Sequence, residues 1–188
     1  MEFKVVYFSV LVINEIEYAI ANIFWESHMN TDMLLSALIV GVIATALLDT
    51  WAWLLKSTLQ VPSLRLCVLG RWLLQMPEQG MVQCHVAQQP GHRGECALGW
   101  SVHYAIGILF ALGYFLMLQW LQRPPSLMIA IAYALATVVF AFFVMQPGMG
   151  AGLAARHSPK PWLARGKSML SHGIFGVGLH IGSLIVSN

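Results

Sequence analysis

Four apolar stretches, each long enough to cross a bilayer, leave this chain few options besides a bundle of membrane helices. They run over Met33–Leu55, Leu98–Leu121, Ser126–Met145 and Ser168–Ser187. A helix rises about 1.5 Å per residue, so roughly 20 residues cross a hydrocarbon core of about 30 Å. Only 10% of the 188 residues are charged and 58% are hydrophobic. Soluble domains carry about 25% charged residues, so lipid rather than water is the expected main solvent. The expected fold is an all-α, polytopic membrane protein of four transmembrane helices, with a fifth N-terminal candidate and a short interfacial helix. A net charge of +2 without a basic run excludes nucleic acid as a partner.

The first 28 residues fit this scheme poorly. Val5–Ile13 is apolar, but Asn14, Glu15 and Glu17 interrupt it before Tyr18–Trp25. Each acidic residue at a helix centre costs about 2.5–3.5 kcal/mol on insertion scales. A signal peptide is also a poor match, with only Lys4 in the n-region and no clean small-residue cleavage site. Residues 3–25 thus read as a poor fifth span, an interfacial helix, or an extension upstream of a start at Met29 or Met33. The extension is preferred, leaving 29–188 as a single four-helix domain.

Lys and Arg set the expected orientation. Lys56, Arg65, Arg71 and Arg93 fall in the first link (56–97), and Arg156, Lys160, Arg165 and Lys167 in the third (146–167). The second link has only Arg123, so positive-inside bias puts links one and three in the cytoplasm and the C-terminus in the periplasm. Cys67, Cys84 and Cys96 are odd in number and lie in that first link, so they are expected to be reduced thiols rather than a disulfide framework.

Pro62 can start a short helix over Ser63–Met76, whose apolar residues interleave with Arg65 and Arg71. That pattern predicts a helix along the headgroups, with Arg71 and Arg93 meeting anions. Pro77 and Gly80 are expected to end it, and Gln83–Glu95 reads as a loop. Arg123-Pro124-Pro125 forces an antiparallel hairpin. Pro147 is expected to stop the third span at Met145. Gly173, Gly176, Gly178 and Gly182, with Gly107 and Ala111, offer small faces at which helices, including those of a homodimer, can approach.

Depth gives the sharpest functional expectation. Asp49 lies seven residues before Lys56, His103 five beyond the inner end of its span, and His172 five after Lys167. Those spacings are about 8–10 Å along a helix, so antiparallel topology stacks all three, with Gln146, in one layer below the cytoplasmic face. Glu95, His85 and Arg93 can cap it from the loop. Ionisable groups at this depth are a functional hint by default. The layer can relay protons, hold a small polar ligand, or bind a divalent metal through His103, His172, Asp49 and His85. For any one residue alone, a wet interfacial hydrogen bond is the simpler reading.

Weaker patterns carry less. His180 lies about 12 Å deeper than His172, where helix packing is a better reading than haem ligation. Cys84, His85, His92 and Cys96 fall within thirteen residues, but no C-x-x-C supports zinc. The Gly148-x-Gly150-x-Gly152 turn lacks the strand and lysine of a phosphate loop. Arg156, Lys160 and Arg165 beside it suit lipid headgroups better.

Several strings occur together in order: Gly41-Val42-Ile43-Ala44-Thr45 with Asp49, Val61-Pro62-Ser63, Gly70-Arg71-Trp72, Gly94-Glu95 with Leu98-Gly99-Trp100 and His103-Tyr104, Met145-Gln146-Pro147 with Gly150-Ala151-Gly152, and Ser171-His172 with Phe175-Gly176. Over roughly Leu34 to Ile185 the chain resembles a bacterial inner-membrane family known as domain of unknown function 2938. The resemblance implies four spans and supplies no activity, cofactor or partner. It gives emphasis to Asp49, Arg71, His85, Glu95, His103, Gln146 and His172. Ala154-Ala155 stands where the family pattern continues Ala-Ser, so no hydroxyl role is expected there.

Three functional classes follow. The first is a cytoplasm-facing pocket binding an ion, proton or small polar ligand for transport or sensing. The second is a membrane-embedded enzyme on lipid headgroups, with Glu95 or Asp49 as base and Arg71 and Arg93 holding phosphate. The third is a non-catalytic interaction protein whose polar layer only locks the helices together.

Overall fold

The computed structural model describes residues 33–60 and 65–187. The readings of residues 1–28 and of the Val61-Pro62-Ser63 helix start lie outside them. Five helices organise the described chain: α1 (Met33–Leu59), α2 (Leu66–Gln79), α3 (Glu95–Leu121), α4 (Leu127–Gly148) and α5 (Pro161–Val186). All but α2 are long and apolar enough to cross a membrane, and no strand occurs among the described residues.

Small residues set the packing, because lipid gives helices no hydrophobic reason to associate and close backbone contact must do so. A Cβ on Gly41 would lie 2.5 Å from Ile108 Cα, and one on Gly107 2.0 Å from Thr45 Oγ1, so α1 and α3 touch backbone to backbone. Gly178 meets Ala44 and Gly182 meets Val40, joining α5 to α1. Gly176 meets Ile131 and Ala130 of α4, and the Tyr133 hydroxyl donates to Phe110 O across α3 and α4. The spanning helices thus form a closed ring in the order α1, α3, α4, α5. The glycine faces expected to serve a homodimer are used inside the chain, and Ala111 is buried with them; of that set, Gly173 alone has open space.

Two apolar clusters result. One fills the bundle half away from α2, around Val40, Ala44, Tyr114, Phe115, Leu118 and Leu179. The other is a cap in which Val68, Leu69 and Trp72 of α2 pack with Val86, Val102, Met145 and Met149. Rather than lying free along headgroups, α2 is clamped onto the first turns of α3. A Cβ on Gly70 would stand 1.8 Å from Glu95 O, and one on Gly99 1.8 Å from Leu66 O.

Prolines do not end helices where expected. Pro77 stays within α2, which runs on to Gln79 and is capped by Gly80 at φ 76°. In α4, the segment Ala141–Met145 widens to a π-turn, and the Gln146 N–H reaches back to Ala141 O. The wider turn accommodates a proline that has no N–H to give, and the helix continues through Pro147 to Gly148. Gly148 then seats against the Trp72 ring, and its carbonyl accepts from the Gln83 N–H. Links one and three therefore meet at one end of the bundle.

Candidate functional site

The cap is held by charge as well as by packing. Arg71 Nε and Nη2 donate to the two Glu95 carboxylate oxygens, each at 2.8 Å. Its Nη1 donates to the carbonyls of Val86, at 3.2 Å, and Gln89. Glu95 Oε2 also accepts the His92 N–H at 2.8 Å. The neighbouring carboxylate holds the Arg71 guanidinium above its ordinary pKa. This corrects two expectations. Arg71 is not free to meet lipid phosphate, and Glu95 is not an open proton or ligand group, because each is engaged by the other and by loop backbone groups. Arg93 is exposed on the loop, as is His85, which adopts φ 57°.

The cysteines need a second correction. Cys67 of α2 and Cys96 of α3 form a disulfide, with Cα atoms 3.9 Å apart, and Cys84 is free and exposed. The Gly70–Gly99 contact brings them together; residue spacing gave no sign of the pairing. With Cys96 so bonded and His92 Nε2 3.0 Å from Gln75 Nε2, the loop quartet does not assemble as a zinc site.

Beneath the cap lies the polar layer. Asp49 Oδ1 and His103 Nε2 are 3.0 Å apart across α1 and α3. Their side chains keep 24% and 20% of their surface exposed, partly buried within two membrane-length helices. Asp49 Oδ2 is buried without a hydrogen-bond partner of good geometry, although Tyr104 also faces this carboxylate. His172 makes a separate contact: its Nδ1 is 2.8 Å from Thr137 Oγ1 and 3.1 Å from Ala134 O, both on α4. A carbonyl only accepts, so Nδ1 carries the proton, and a neutral ring leaves Nε2 as an acceptor. The antiparallel register that sets Val40 against Gly182 and Ala44 against Gly178 brings Asp49 level with Gly173, beside His172.

The layer is therefore one depth holding two pairs, Asp49–His103 and Thr137–His172. Nearer the cap, Gln146 Nε2 donates to Ser168 Oγ at 3.2 Å, while its Oε1 is buried and unpaired. Among the described residues, no three His, Cys, Asp or Glu side chains gather closely enough to hold a metal ion. The expected set of His103, His172, Asp49 and His85 is thus divided: the first and third pair, the second turns to α4, and His85 stays in the loop. His180, deeper in α5, has a buried Nδ1 without a partner.

Sequence reasoning missed Thr137, Tyr104 and Ser168 as partners. A threonine within an apolar span was the available signal for the first, since its hydroxyl must find an acceptor there.

The model of a protein family described as "Protein of unknown function (DUF2938)" matches residues 38–186. The chain belongs to this family. The DUF2938 match takes in the cap and both pairs of the layer. No curated protein and no solved structure matches the chain.

Proposed function

We propose that this DUF2938 protein is a small inner-membrane protein whose polar layer, opening towards a cytoplasmic cap, takes up a proton or a small polar ligand for transport or sensing. The observation that carries the reading is Asp49: a carboxylate inside a membrane-length helix, partly buried, with one oxygen on His103 and the other buried beside Tyr104 without a well-formed hydrogen bond. A charge facing hydrocarbon is costly, so such groups face the bundle interior or water, and they mark ion and proton paths. His172, level with Asp49 and with Nε2 left to accept, supplies a second titratable group at that depth. The orientation rests on the Lys and Arg of links one and three.

A divalent metal is less well supported, since among the described residues no third His, Cys, Asp or Glu gathers with Asp49 and His103. The lipid-headgroup enzyme is less well supported, since Arg71 and Glu95 are taken up by their mutual ion pair and only Arg93 and Asp49 are left for its phosphate and base roles.

The test is proton-coupled uptake in vesicles reconstituted with the full-length protein, comparing Asp49→Asn, His103→Gln and His172→Gln. Loss of uptake of about tenfold or more is expected for the first two, and a smaller loss for the third. Uptake equal to that of the unsubstituted protein in all three would remove the reading.

A further inference from the structure

The Cys67–Cys96 disulfide sits at the end of the bundle that holds Lys56, Arg65, Arg93, Arg156, Lys160 and Arg165. Positive charge of that density marks the cytoplasmic side. Disulfides there are rarely permanent, and those that occur are mostly transient or redox-sensing. Two features of this pair suit reversibility. Each cysteine is the second residue of its helix, Cys67 after Leu66 and Cys96 after Glu95. First-turn N–H groups stabilise negative charge, so either sulfur is a good leaving group when the bond opens. Stabilising the reduced form makes a disulfide easier to reduce. In addition, the Gly70–Gly99 contact and the Arg71–Glu95 pair hold α2 on α3 without the bond. Opened thiols therefore stay neighbours, ready to close again.

We propose that Cys67–Cys96 is a reversible thiol–disulfide site that exchanges with low-molecular-weight thiols and disulfides at the cap face. Cys96 is exposed and Cys67 partly buried, so exchange starts at Cys96. A small thiolate attacks Cys96 Sγ, the Cys67–Cys96 bond breaks, and Cys67 leaves as a thiolate that takes up a proton. A second small thiolate attacks the outer sulfur of the mixed disulfide and releases Cys96, and the small molecule departs as its own disulfide. Two electrons pass from two small thiols to the protein, and oxidation runs the same steps backwards. Cys96, Gly99 and His103 lie on one face of α3 at helical spacing, so the bond fastens α2 directly above the layer. The inference rests on the proposed cytoplasmic orientation of the cap and not on what the layer binds.

The experiment uses the full-length protein carrying Cys84→Ser, which removes the exposed free thiol. It is equilibrated in glutathione buffers of stepped reduced-to-oxidised ratio, quenched in acid, and its thiols are counted by the gel shift of a maleimide polymer. Two thiols should appear and vanish together, on one curve from either starting state. Amide hydrogen exchange over Cys67–Trp72 should be at least about fivefold faster in the reduced form. A bond that stays closed at roughly hundredfold excess of reduced glutathione, thiols that titrate separately, or a smaller change in exchange would overturn the proposal. If Cys84→Ser does not fold, the unsubstituted chain decides by the same criteria, with Cys84 adding one constant thiol.

Discussion

At the cap, Arg71 and Glu95 meet through two parallel hydrogen bonds, while Arg71 Nη1 donates to two backbone carbonyls and Glu95 Oε2 accepts a backbone N–H. In the layer below, Asp49 and His103 share one contact, and the second carboxylate oxygen, faced by Tyr104, makes no well-formed hydrogen bond. Both set a carboxylate against a basic side chain and join two elements, but one is closed and the other open. A closed bidentate pair fixes geometry and has nothing left to offer a ligand. An open pair holds a buried acceptor short of its hydrogen bond, an arrangement that lowers stability and persists where something else can supply the bond. Under the proposed function, the cap is the frame and the layer the working part.

Substitutions can break or sharpen this contrast. The largest effect is expected from Gly70→Leu, because its Cβ would meet the Glu95 carbonyl at 1.8 Å and the backbone there cannot step aside. We expect a loss of more than about 4 kcal/mol in denaturant or thermal unfolding, with two extra thiols open to maleimide. Gly173→Leu is the control: nothing lies within 4 Å of its Cβ, and a change within about 0.5 kcal/mol is expected.

Next in size is the cap pair itself. Arg71→Ala should lower the melting temperature more than Glu95→Gln, since the first leaves a carboxylate and the Val86 and Gln89 carbonyls unpaired, while the second keeps an acceptor for one arm. Uptake measured on whatever folded protein remains should fall little in either variant. Asp49→Asn should do the reverse: a stability change within about 1 kcal/mol, because asparagine keeps the shape and can still bond His103, with uptake lost. If Asp49→Asn destabilises as much as Arg71→Ala, the layer is part of the frame and the contrast fails.

The four spans were legible because about 20 apolar residues in a row have few other uses. Their ends were less so. Helix α5 begins at Pro161, seven residues before the apolar stretch at Ser168, because Arg165 and Lys167 lie on the helix. Hydropathy marks where apolar side chains stop, not where backbone hydrogen bonding does. Depth was readable from helical rise, which is why Asp49, His103 and His172 share a level. Facing was not, since helices apolar all round carry no periodic signal, and depth alone does not separate His172, which bonds Thr137, from the Asp49–His103 pair. Arg71 with Glu95 and Cys67 with Cys96 were invisible for a different reason. Each joins residues across a loop, and only the close approach of Gly70 and Gly99 brings them together.

The smallest effect lies in the third link, where Ala154 and Ala155 adopt left-handed backbone at φ 47° and φ 57°. A side chain there places Cβ against a carbonyl oxygen, costing roughly 1–2 kcal/mol that glycine avoids. Glycine in turn gives up about 0.5–1 kcal/mol through the extra freedom of its unfolded chain. Ala154→Gly should therefore stabilise by about 0.5 kcal/mol, the Arg165 bond to its carbonyl being kept because that bond uses no side-chain atom of residue 154. Ala155→Gly should gain less or lose, since its methyl is buried and about 0.8 kcal/mol of burial goes with it. Paired melts of the two variants separate these contributions. A loss at Ala154→Gly would mean that its methyl makes contacts worth more than the backbone strain it relieves, placing this turn in the frame with the Arg71–Glu95 pair.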